Sequence, residues 1–146
     1  VTPQKSSMTL DIRIPVTIKS QYILSVIDQI IANVATKKGV RATYRIQDQT
    51  EPFEASYTST LVRAMSLSII DVRKIRPTLL RKTGTGDMNI LGNAFKIPVV
   101  TYGPGEPHAS HTVDERVNLE EYLTSIDIFS RALFHISRLH ARKSVS

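Results

Sequence analysis

The sequence predicts an α/β chain, more closely an α+β fragment in which antiparallel strands are covered by helices. Two short segments alternate apolar and polar residues, and a segment of helical period separates them. Both alternating segments keep one polar face, as antiparallel strands with one solvated side do. A long, capped helical pattern closes the chain.

The first alternating segment is MTLDIRI at 8–14, where Met8, Leu10, Ile12 and Ile14 face one way and Asp11 and Arg13 the other. Pro15 ends it. Ile23, Ile27, Ile30, Ile31 and Val34 then form an apolar helical stripe over 20–36, with Ser20 placed to cap it and Gly39 to stop it. VRATYRIQ at 40–47 returns to a period of two. The loop-like DQTEPFEAS at 48–56 marks a domain boundary, giving one domain over 1–56 and a second over 57–146.

In the second part, Leu61, Met65, Leu67, Ile69, Ile70 and Val72 predict a helix over 58–75, closed by Pro77. TLL at 78–80 predicts a short strand, MNILGNAF at 88–95 a short helix, and the apolar run IPVVTY at 97–102 a strand covered on both faces. Asn118 followed by Glu121 is a capping-box pattern. The stripe behind it runs through Leu119, Tyr122, Leu123, Ile126, Phe129, Leu133 and Ile136. Arg138, Arg142 and Lys143 follow at the end of the helix, where they suit its dipole.

Composition bounds the chemistry. The chain has 146 residues, enough for one domain of ordinary size, and 41% of them are hydrophobic. Trp is absent and aromatics make up 6%, so aliphatic side chains must fill the core. No segment has the roughly 18 apolar residues of a membrane span, so no membrane partner is expected. The absence of Cys excludes disulfides, thiolate nucleophiles and Cys-ligated zinc within the chain, and makes a cytoplasmic location the default expectation. The first residue is Val, which reads as the start of a processed or truncated piece. The formal charge of +6 raises nucleic acid as a partner. The basic residues are dispersed, however, and no aromatic-studded RNA-binding motif appears. An acidic protein partner fits the charge equally well.

Two loops carry the candidate chemistry. KTGTGDMN at 82–89 places Gly84 and Gly86, with Thr83 and Thr85, ahead of a helix start near Asp87. Free N–H groups at such a start form an anion site suited to a carboxylate. The plainer reading is a glycine turn with a helix cap. YGPGEPHASHTVDE at 102–115 leads to His108 and His111, three residues apart. Imidazole is a common metal ligand, but two histidines do not complete a zinc site, which takes three or four protein ligands. Glu120 and Glu121 fall in the first turn of the last helix, where the cap and the dipole account for acids. His135 and His140 read as surface residues of that helix.

LLRKTGTGDMNILG, followed by VVTYGPGEPHASHTVDERVNLEEYL, resembles the C-terminal end of a zinc aminoacylase/carboxypeptidase of the M20 type. The branch it is most similar to removes lysine or ornithine from an amino-group carrier protein, or deacetylates acetyl-lysine or acetyl-ornithine. LDIRIP also resembles that family's lid strand. The resemblance implies that residues 1–56 form the second half of an antiparallel lid that also mediates dimerisation. Residues 57–146 would form the closing strand–helix part of an α/β zinc-hydrolase domain. It implies two zinc or cobalt ions in the complete enzyme, with His111 as a metal ligand and Glu115 supporting its loop. Gly84, Thr85 and Gly86 would line the substrate site, and Arg81 would face a substrate carboxylate. The implied partners are a small amino-acid derivative or an acidic carrier protein, and a second copy of the chain. Nucleic acid is not implied. The family's other metal ligands and its catalytic Glu have no counterparts here, so no catalytic residue is expected within the chain.

Overall fold

The computed structural model describes residues 4–82 and 84–143. They divide into two compact units. One holds residues up to Pro52 together with Gly84 and Thr85, and the other holds residues 53–82 and 86–143. The elements are α1 (Ser20–Lys38), α2 (Thr60–Arg73), α3 (Asp87–Phe95), a single 3-10 turn at Pro107–Ala109, and α4 (Leu119–Lys143).

The predicted sheet is corrected: among the described residues there is no strand. The segments 8–14, 40–47, 78–80 and 97–102 are irregular, so neither an antiparallel lid sheet nor an α/β catalytic sheet is present. The physical reason is that alternation makes a two-faced ribbon but supplies no neighbour for its N–H and C=O groups. Segments 8–14 and 40–47 form no ladder with each other, and Met8, Leu10, Val40, Tyr44 and Ile46 remain exposed. The run at 97–102 is partly buried all the same, because Val100 and Tyr102 pack directly against the helical core.

In the first unit, α1 ends where expected, with Gly39 in the left-handed conformation at φ 63°. Its start differs from the sequence reading. Lys19 occupies the cap position without a side-chain cap bond, and Ser20 is the first helical residue. Glu51 supplies the missing acceptor: its carboxylate takes the Ser20 hydroxyl and, at 3.4 Å, the Ser20 N–H, while Gln49 Nε2 donates to Ser20 Oγ at 2.6 Å. A carboxylate at a helix N-terminus is favoured by the dipole. These bonds from Ser20, the hydroxyl's foremost, hold the Glu51 carboxyl below the usual glutamate range against some desolvation. Ser20 is the only buried residue of this unit among those described; none of its hydrophobic side chains is fully covered.

The second unit contains the core. Ser59 caps α2, its hydroxyl accepting from Val62 N–H at 3.3 Å. The helix closes at Lys74, whose N–H reaches the Ile70 carbonyl at 3.0 Å in a left-handed turn. α2 lies against α4, and Met65, Ile69, Ile128 and Ala132 form the central cluster, with Leu61 and Val72 beside it. Small residues permit the approach. Ala64 and Ser68 on α2, and Ser125 and Ala132 on α4, are all buried. The two serine hydroxyls are satisfied within their own helices, at the Ala64 and Tyr122 carbonyls.

α4 starts as predicted, with Asn118 Oδ1 accepting from Glu120 N–H at 2.8 Å and Glu121 N–H at 3.3 Å. Its orientation does not follow the sequence reading. The face turned to α2 carries Ile128 and Ala132, whereas most of the predicted stripe is open: Leu119 is 74%, Leu123 62% and Leu133 70% exposed, against 0% for Ile128.

Gly92 within α3 is buried because the Phe53 ring covers it, and a Cβ built there would run into that ring. Alanine normally stabilises a helix interior over glycine by about 1 kcal/mol; here overpacking by about 1–3 kcal/mol should outweigh that gain. Gly92→Ala should therefore lower the urea midpoint. Gly103→Ala, where no atom lies near the added Cβ, should not be driven down by overpacking.

Candidate functional site

Gly86 begins the glycine-loop site as the N-cap of α3, with fully extended backbone at φ −173° and ψ −178°. Its N–H donates to Asn89 Oδ1 at 3.2 Å, and its carbonyl accepts from Asn89 N–H at 2.9 Å. Asn89 is buried, so this reciprocal pair fixes the loop's exit into the helix. The first-turn N–H groups of Asp87 and Met88 fall at the positive end of the α3 dipole, which can receive an anion. Arg81 precedes the loop on the surface, and its Nε donates to Glu54 Oε1 at 2.9 Å. A substrate carboxylate would have to compete with Glu54 for that guanidinium. Gly84 and Thr85 belong to the other unit. Thr83, set beside the loop glycines in the sequence, lies outside the described residues.

His111 stands in a self-contained run of turns. The 3-10 turn is capped by Glu106, whose carboxylate accepts from His108 N–H at 3.3 Å. Thr112 N–H reaches the Ala109 carbonyl at 3.1 Å, and Glu115 N–H reaches Thr112 at 3.2 Å. Between them His111 takes φ 64°, a left-handed conformation uncommon for side-chain-bearing residues but enriched in His. Its N–H donates to Glu115 Oε2 at 2.9 Å, so Glu115 holds the turn that presents the exposed imidazole.

Among the described residues no three or more His, Cys, Asp or Glu side chains group so as to hold an ion. His108 and His111 are both exposed, and Glu106 and Glu115 accept from backbone N–H groups of the same turns.

A polar cluster that the sequence reading missed joins α2 to α4. His135, read as a surface residue, has a side chain only 15% exposed, and its Nε2 lies 2.8 Å from Asp71 Oδ2. Arg131 Nη1 is 4.0 Å from the same oxygen. The His135 hydrogen bond foremost, helped by the His135, Arg131 and Lys74 charges and opposed by desolvation, holds the Asp71 carboxyl below the usual aspartate range. Residues 64 apart have no local signal of pairing; only the packing of the two helices reveals it. Nearby, the Arg73 guanidinium lies 3.8 Å from Glu121, with its Nε buried and without a partner among the described atoms. The cluster's geometry suits fastening two helices, with its polar groups turned onto one another.

With this geometry, the chain can be placed among known proteins. Peptidase family M20/M25/M40 matches residues 4–135, and the chain belongs to that family. The LysW-lysine/LysW-ornithine hydrolase of Saccharolobus solfataricus is 30% identical over 133 residues, covering 91% of this chain and 36% of the relative. The protein of the same name from Sulfurisphaera tokodaii is 32% identical over the same shares. A Pyrococcus furiosus protein provisionally given that name is 39% identical over 113 residues, 75% of this chain and 34% of its own length. The chain thus spans about a third of the length of the curated relatives it matches.

Two outcomes follow from the site. The Asp71 carboxyl is depressed in the folded state, so its contribution is complete above the unfolded aspartate value of about 3.9. It is lost as pH falls through the lower folded value. Urea midpoints should therefore drop more steeply below about pH 4 in the native chain than in Asp71→Asn. At the His111 turn, Glu115→Ala should accelerate amide hydrogen exchange at His111, and Glu115→Gln, which keeps an acceptor, should restore most of the protection.

Proposed function

We propose that this chain is the C-terminal portion of a metal-dependent hydrolase that cleaves an amide bond to release lysine or ornithine in amino-acid biosynthesis. The observation that carries the reading is the family match across 4–135, in a chain of about a third of its relatives' length. The relatives' names point to a LysW-borne substrate, and an N-acetyl derivative is the small-molecule alternative. The family is in general metal-dependent, and zinc or cobalt is the proposed metal. On this reading most of the metal's ligands lie outside this chain.

In this proposal the exposed His111 imidazole is the one ligand the chain contributes, and Glu115 keeps it presented. The α3 N-terminus at Gly86 receives the substrate's carboxylate through backbone donors. Arg81 assists once its ion pair with Glu54 is exchanged for the substrate. The formal charge of +6 favours encounter with an acidic carrier protein. The second reading is a non-catalytic interaction module that assembles with itself or with a partner chain, which the open apolar side chains of both units support. Those side chains serve equally well in a part of a larger enzyme, and the family match favours the enzyme.

The test is to assay the purified chain for lysine or ornithine release from LysW conjugates and N-acetyl derivatives, with zinc or cobalt added. No release above buffer is expected. Turnover at a rate ordinary for an enzyme, about 1–1,000 per second, would overturn the reading of the chain as an inactive portion and support the hydrolase activity itself. A well-folded, metal-free oligomer in sedimentation would favour the module.

A further inference from the structure

No further inference is drawn: the strongest candidate, the groove between α2 and α4 lined by Asp71, Asp127, Ser130, Arg131 and Phe134, belongs to the Asp71–His135 cluster already described, and nothing in the structure points to what it would hold.

Discussion

The contact of α2 with α4 organises the second unit: Met65 and Ile69 of one helix meet Ile128 and Ala132 of the other. Ala64 and Ser68 on α2 and Ser125 on α4 complete the buried strip of the two helices. Ile128 is fully buried, and a packed interior has little room to absorb added volume around it. The serines satisfy their own hydroxyls, so the strip carries no polar cost at those positions. The Asp71–His135 pair then fastens the two helices with a bond that also sets the carboxylate's titration.

Both candidate loops are held by local bonds rather than by each other. Asn89 closes the start of α3 onto Gly86, and Glu115 closes the His111 turn. In the function proposed for this chain, the backbone donors at Gly86 and the exposed imidazole at His111 would be locally preformed parts of a site.

The first unit makes the opposite point. It carries a helix, two alternating segments and the Ser20–Glu51 network, yet none of its described hydrophobic side chains is fully buried. Periodicity in a sequence states what a segment would bury if given a partner. It does not provide the partner, and a strand exists only when its backbone groups are matched across a ladder.

Local signals sufficed for the helices. Gly39 as a stop, the short helix after the glycine loop and the Asn118 cap all act within four residues of the backbone they serve. The sequence alone therefore determined where helices form, and its motifs pointed to the M20 family that the comparison bears out. It also singled out Glu115 as the support of the His111 loop. Tertiary packing decided the rest. It chose the small-residue face of α4 over the larger stripe, because two helices approach most closely where side chains are shortest. It drew His135 in to Asp71, placed Glu51 at the start of α1, and left the alternating segments without a ladder. Each of these outcomes joins or separates residues far apart in the chain, and no local pattern encodes such a pairing.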